Sequence, residues 1–468
     1  MDGAEMTKTE TLMKVVRDRI AGRALAPGDR MPSIRRFAET MDASPSTVVE
    51  AYDRLVAEGV IRAKRGAGFF VAGGNVPPMT VARMGTPRPR NVDPFWVSRQ
   101  SLESDTMIAR PGCGWLPDDW LPTAALRKGL RALARADDPV LIRYADSGGA
   151  VALRRYLLGR LAEEKLPAGP EQIMLTGSAT QAMDLIGRLM LHPGDTVLVD
   201  DPGYFNFHAM LLAHRVKIVG VPHTPEGPDL AGFEAALIAE RPRLYITNSA
   251  LQNPTGATLS PRTAHRVLAL AGTHDLTIVE DDTFADLEPD PSPRLAVLDG
   301  LDRVLRIGGF SKTLSASARC GFIVGRADWI EALVDLQVAT SFAGPSPIAA
   351  ELVAGVLAGG GHRKHIAEVR ARLVTARKRA AARLAPLGIT PWLLPRGGFY
   401  LWCRLPDGLD SGPIAQYCAA ENILLAPGNV FSPSQSAGAF MRFNVAHLDD
   451  PRVFTALERA MAETGVST

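Results

Sequence analysis

The spacing of apolar residues changes twice along the chain, and each change marks a new region. Near the start, Leu12, Val15, Val16 and Ile20 recur at helical spacing. The Pro/Gly break ALAPGDRMP follows, and Ser33 can then cap a short helix whose apolar face holds Ile34, Phe37, Ala38 and Met41. Ser44-Pro45 supplies an N-cap and a first-turn proline for a helix over 45–58. That helix buries Val48, Ala51, Tyr52 and Leu55, and Gly59 stops it. VIRA and FFVAG read as two short strands around the basic turn KRGAG. Helix, helix, helix, hairpin is the order of a winged helix-turn-helix.

Periodicity is lost over residues 73–105, where proline and glycine are dense (GGNVPPMTVARMGTPRPRNVDPFW). This reads as a partly extended linker. From about 106 onward, apolar runs (IMLT, TVLVD, VKIVGV, RLYITN, TIVED, VLRIGG, GFIVG) alternate with helical segments, the pattern of an α/β domain with a largely parallel sheet. The last hundred residues carry an Arg-rich amphipathic helix and then GGFYLWCRL and FMRFNVAH, which suggest a smaller α+β lobe. The expected division is a head over 1–73, a linker over 74–105 and a body over 106–468, with the small lobe from about 361 to 468.

Composition narrows the function. A net charge of +2 does not by itself mark a nucleic-acid binder. Residues 1–75 hold 12 Lys/Arg against 10 Asp/Glu, so the head is mildly basic, with its charge concentrated at Arg35, Arg36, Arg54, Arg62, Lys64 and Arg65. The four cysteines form no C-x-x-C or Cys/His cluster of metal spacing, so no metal site is expected and the thiols read as reduced, in a cytosol. The polar start is no signal peptide, and no apolar run approaches the ~18 residues that span a bilayer. A soluble, cytoplasmic protein without a membrane partner is expected.

The candidate chemistry falls at strand ends, where open α/β sheets place their ligands. IMLT is followed by GSATQAMDLI, a turn opening a helix that suits a phosphate. Tyr204 follows TVLVD, NPTG follows RLYITN, Asp281 closes TIVED, and Lys312 lies between VLRIGG and GFIVG. Taken singly, NPTG is a β-turn, Gly-Ser-Ala-Thr a helix cap, Lys312 a solvated lysine and Arg442 a surface arginine. Together they make the set that pyridoxal phosphate requires: a phosphate seat, an amide, an aromatic, an acid for the pyridine nitrogen and a lysine for the Schiff base.

The pieces TGSATQAMDL, DPGY, QNPTG, EDD and SK-x6-R resemble, in order and spacing, the fold-type I aspartate-aminotransferase-like enzymes over roughly residues 106–465. The resemblance implies pyridoxal 5′-phosphate as cofactor and Lys312 as its Schiff-base lysine. It places Asp281 at the pyridine nitrogen, Asn253 at the ring hydroxyl and Tyr204 stacked on the ring. Ser178, Ala179, Thr180, Ser311 and Arg319 would surround the phosphate, and Arg442 would clamp a ligand carboxylate. Tyr144 resembles the tyrosine lent to the phosphate of the neighbouring subunit of a homodimer. The family commonly carries a tyrosine close behind the acid; Thr283, followed by Phe284, stands there instead, which makes efficient transamination less certain.

The head resembles the GntR-type winged helix, through P-G-x-x-x-P-S-x-R, the S-x-S-T-V helix start and the R-G-x-G-x-F wing. The resemblance implies contact with double-stranded operator DNA through Ser33, Arg35, Ser44, Ser46, Thr47 and Arg54, and through Lys64, Arg65 and Gly66 of the wing. A GntR-like head on an aminotransferase-like body resembles the MocR subfamily of transcription regulators. The expected function is a regulator in which PLP or an amino compound modulates operator binding. An active transaminase with an accessory DNA-binding head is the alternative.

Overall fold

The computed structural model of the chain describes residues 7–22, 24–64, 66–72, 94–102, 109–135 and 138–465. It divides into two compact units, a small head and a large body. Among the described residues, no helix is long and apolar enough to cross a membrane, and all four cysteines are unpaired and buried.

The head has the expected order: α1 (Lys8–Ala21), α2 (Ile34–Thr40), α3 (Pro45–Ala57), β1 (Ile61–Lys64) and β2 (Gly68–Val71). Each helix begins on a hydroxyl that accepts an otherwise orphaned amide. Thr7 forms a capping box with Glu10, Ser33 Oγ accepts from the Arg36 N–H at 3.3 Å, and Ser44 Oγ accepts from the Thr47 N–H at 3.1 Å. The periodic apolar residues converge: Leu12, Val16, Phe37, Val48, Ala51, Tyr52 and Leu55 share one core. Burying a side chain such as Leu55 stabilises the fold by about 1.5–3 kcal/mol. The antiparallel hairpin pairs Ile61 with Val71, and its turn uses Gly66 at φ 75° and Gly68 at φ 98°, backbone that glycine adopts without strain.

The body is built on one sheet of β3 (Ile173–Thr176), β4 (Thr196–Asp201), β5 (Lys217–Thr224), β6 (Gly227–Pro228), β7 (Leu244–Thr247), β8 (Thr277–Asp281), β9 (Val304–Gly309) and β10 (Gly321–Val324). Their order across the sheet is β3-β10-β9-β8-β7-β4-β5-β6. Strands β5, β4, β7, β8 and β9 run parallel. Strand β10 is antiparallel to both its neighbours. The runs read as continuously apolar because both faces are covered. Leu175, Leu198, Tyr245, Ile278 and Val304 pack on one side, and Met174, Val197, Ile246, Val279 and Leu305 on the other.

The small lobe centres on β11 (Thr390–Pro391), β12 (Tyr400–Arg404), β13 (Ala426–Pro427) and β14 (Phe440–Asn444), ordered β11-β12-β14-β13. A segment far upstream also belongs to it. Ala109 bridges Ile423, the Asn444 N–H donates to the Pro111 carbonyl at 2.6 Å, and Leu116 and Trp120 join the lobe's core. The expected linker over 74–105 needs a correction at its end. Pro94–Leu102 forms a helix, α4, because Val97 finds an apolar site against Phe205, Trp402 and Phe431. The rest of that segment lies outside the described residues.

Candidate functional site

An anion seat forms where β3 runs through Gly177 and Ser178 into the helix Ala179–Met190. Ser178 Oγ caps that helix, accepting from the Gln181 N–H at 3.0 Å. The β9–β10 loop, which carries Ser311 and Arg319, can approach because Gly321 has no side chain. A Cβ there would lie 2.6 Å from the Ser178 carbonyl carbon and 2.9 Å from the Ala179 nitrogen. Arg319, exposed and at φ 47°, has no ion pair among the described residues. The first amides of that helix, at Ala179 and Thr180, with the loop of Ser311 and Arg319 brought up beside them, could hold an anion such as a phosphate.

The acids at the end of β8 divide their work by strand alternation. Glu280 turns to one side and accepts the N–H groups of Leu295 and Ala296 at 2.8 and 2.9 Å. Beyond it, Asp282 pairs with Arg294 at 2.7 Å and with Arg306. Burial pushes Asp282 up, but Arg294, Arg306 and Arg160 outweigh it and keep its carboxyl below the ordinary value. Asp281 turns to the opposite side, toward the cleft lysine, and among the described residues it has neither an ion pair nor a helix to anchor. Burial pushes its pKa up, against hydrogen bonds from Thr283 and Asn248. The Thr283 N–H donates to Asp281 Oδ1 at 3.0 Å and the Thr283 hydroxyl to the same oxygen. Thr283 therefore serves the acid directly, while Phe284 is buried edge-on to Phe399 and Tyr400.

Among the described residues, Lys312 has no carboxylate partner. Its Nζ donates to the Gly114 carbonyl at 2.7 Å. Burial, then the charge of Arg442, pull its pKa from 10.5 to about 8, with Asp281 opposing. Arg442, on β14, is 2 % exposed. It donates to Asn253 Oδ1 at 2.9 Å and to the Gly112 carbonyl at 2.7 Å, and its guanidinium lies over the rings of Tyr400 and Phe431. Its Nε is buried without a partner. Tyr204 accepts from Asn206 at 2.8 Å, and burial, then Asp281, raise its pKa.

The fold thus brings Lys312, Asp281, Asn253, Tyr204 and Arg442 to one cleft, with Ser178, Ala179, Thr180, Ser311 and Arg319 around the helix start where the sequence expects the phosphate. Tyr144 stays outside, 77 % exposed, its ring edge-on to Phe342 at 4.9 Å. Sequence reasoning missed Gly112, Gly114 and Tyr400, all close to Lys312 or Arg442. It also missed the buried Asp200, which accepts from the Tyr245 hydroxyl at 2.6 Å and the Thr247 hydroxyl at 2.9 Å and so ties the ends of β4 and β7 together. Buried polar residues inside apolar runs were the available signal for that pair. The residues fit pyridoxal phosphate: a half-buried lysine and a buried carboxylate facing it, neither in an ion pair among the described residues, and a helix start that can take an anion.

In the head, Ser44, Ser46 and Thr47 stand together at the start of α3, the Ser44 hydroxyl 2.8 Å from that of Ser46 and 2.7 Å from that of Thr47. Arg35 and Lys64 are exposed, as is Ser33 beyond its capping bond. Arg54 is also exposed but paired to Glu50 at 2.6 Å. Gly66 lies in the wing turn; Arg65 lies outside the described residues.

A helix-turn-helix head with a basic wing, joined to a lysine-bearing cleft on a mixed α/β sheet, defines a regulator with an aminotransferase-like body. The chain belongs to the aminotransferase class I and II family, which matches residues 116–459, and it carries a domain of the gntR family of bacterial regulatory proteins over residues 8–71. That join is the architecture of MocR-type regulators. The HTH-type transcriptional regulator YdcR of Escherichia coli is 28% identical over 454 residues, covering 94% of this chain and 95% of that one. The 2-aminoadipate transaminase of Thermus thermophilus is 27% identical over 369 residues, 75% of this chain and 90% of its own. Among solved structures, the α-aminoadipate aminotransferase LysN of Thermus thermophilus, complexed with N-(5′-phosphopyridoxyl)-L-leucine, matches with a TM-score of 0.72 at 25% identity. That match covers 80% of this chain and 96% of that one.

Proposed function

We propose that the chain is a transcription regulator whose body binds pyridoxal 5′-phosphate and whose operator binding is modulated by the cofactor or by an amino compound. The observation that carries this reading is Lys312: a half-buried amine with a lowered pKa and no carboxylate partner among the described residues, facing a buried acid that has no ion pair there either. Lys312 would hold the cofactor covalently, Asp281 would keep its ring nitrogen protonated, and Asn253 and Tyr204 would bind and stack the ring. Ser178, Ala179, Thr180, Ser311 and Arg319 would take the phosphate, and Arg442 a ligand carboxylate. When bound, the cofactor supplies an electron sink.

The chain's own residues orient the acid and shield the guanidinium. Thr283 holds Asp281 through two hydrogen bonds. The aromatic walls of Tyr400 and Phe431 keep Arg442 away from water, which strengthens its hold on an anion. Leu141, Ile142, Tyr144 and Phe342 are exposed apolar residues on the body, as a subunit surface would need, which supports a homodimer with Tyr144 reaching the partner's phosphate seat. Two heads would then read two half-sites, with Ser33, Arg35, Ser44, Ser46, Thr47, Arg54, Lys64, Arg65 and Gly66 toward the DNA. A ligand changes operator affinity only if it binds two arrangements of the dimer unequally. A DNA partner supports a cytoplasmic location for this work.

The test is a footprint and gel shift of the full chain on the DNA upstream of its own gene, with and without pyridoxal phosphate and a panel of amino acids. Specific binding that shifts with ligand is expected. No specific binding under any condition sinks the reading. Arg442, buried in the cleft, keeps the second reading of an active transaminase in play; rapid multiple turnover with an amino donor and an oxo-acid acceptor would favour it.

A further inference from the structure

The cleft contains a phenol with nothing to bind. Tyr400 is 4 % exposed, yet its hydroxyl has no hydrogen-bond partner among the described residues and is not sealed from the cleft. Its position is defined by Gly114: a Cβ there would lie 3.3 Å from the Tyr400 hydroxyl and 3.7 Å from Lys312 Nζ. The hydroxyl and the lysine amine therefore face the same small space, across a residue with no side chain. The ring is fixed by Phe399 at 4.5 Å, by Phe284 at 5.6 Å and by the Arg442 guanidinium 4.1 Å from its centroid.

A buried polar group without a partner is costly, and such groups in native sites commonly find their partner in a ligand. Arg442 already commits one Nη1–H to Asn253 and one Nη2–H to Gly112. The Tyr400 hydroxyl is a further uncommitted donor beside it, next to the Arg442 Nε–H that also lacks a partner among the described residues. The phenol stays protonated, because burial holds its pKa above the ordinary value. The group that suits a neutral donor next to a guanidinium is a carboxylate.

We propose that the Tyr400 hydroxyl is a ligand-binding group that donates to the carboxylate of an amino acid held in the cleft, beside Arg442, and so selects amino acids over simple amines. The proposal rests on the reading of the cleft as a pyridoxal phosphate site.

The test uses the full chain freed of cofactor, titrated by calorimetry with two adducts. N-(5′-phosphopyridoxyl)-L-leucine carries the carboxylate, and N-(5′-phosphopyridoxyl)-3-methylbutylamine is the same adduct without it. The wild-type protein should prefer the leucine adduct. Tyr400→Phe, which keeps the packed ring and deletes one oxygen, should weaken the leucine adduct by about tenfold, the order of one hydrogen bond to a charged group. It should leave the amine adduct unchanged. An equal loss for both adducts, or none for either, overturns the proposal, as does a wild-type protein with no preference. If neither adduct binds the wild-type protein, the cofactor reading itself fails and this proposal falls with it.

Discussion

Raising the pH should switch on cofactor attachment near neutrality, far below the range of an ordinary lysine. The nucleophile is the neutral amine, and burial together with Arg442 brings the Lys312 pKa from 10.5 to about 8. At a pH of about 7.5 an amine with that pKa is about one-quarter neutral, whereas one at the ordinary value is about one-thousandth neutral. The cleft therefore offers on the order of two hundred times more nucleophile. The assay mixes cofactor-free protein with pyridoxal phosphate and follows the visible absorbance at a series of pH values. The rate should climb to a midpoint near about 8 and then level off. In Arg442→Gln, which removes a charge that disfavours the ammonium form, the midpoint should move to higher pH. A wild-type rate still climbing about tenfold per unit beyond a pH of about 9 would refute the reasoning.

Other outcomes rest on the same geometry. Lys312→Ala should abolish the visible absorption of the purified protein while leaving its circular dichroism unchanged; matching spectra would remove the lysine from the site. Arg294→Met deletes the partner of buried Glu288 and one of the two partners of Asp282. It should cost about 3–5 kcal/mol in urea unfolding of the body, a loss that a surface pair would not produce. Ser44→Ala removes the cap of α3 and should lower the stability of the head by about 1 kcal/mol, measured as a shift of its melting transition. Lys64→Ala, which removes one lysine from each head of the dimer, should weaken operator binding about equally on all sequences and reduce the salt slope by about 2, read from gel shifts across salt concentrations.

Much of the head is legible in the sequence because its signals are local. A hydroxyl cap, a first-turn proline and apolar residues at helical spacing act within a few residues of one another, and Ser33, Ser44 and Val48 all stand where those rules put them. The strands of the body are legible for a similar reason: continuous apolar runs mark strands buried on both faces. The convergence of loops is not. Gly112 and Gly114 meet Arg442 and Lys312 from far along the chain, and no local pattern encodes that approach. Helix α4 is hidden by the prolines around it, since its stability comes from the tertiary site that receives Val97. Tyr400 reads as one more apolar position of the run GGFYLWCRL, and only its neighbours give it a role. Thr283 stands out as a departure from the family pattern, but its bond to Asp281 depends on the turn beyond β8.

The three acids at the end of β8 separate two kinds of risk. Glu280 and Asp282 anchor a helix and a pair of arginines, so changing either threatens the folded body. Asp281 makes no ion pair among the described residues and turns the other way, so changing it threatens the proposed cofactor site rather than the scaffold. A body built this way can change what its cleft does with a ligand by single substitutions without first losing its scaffold.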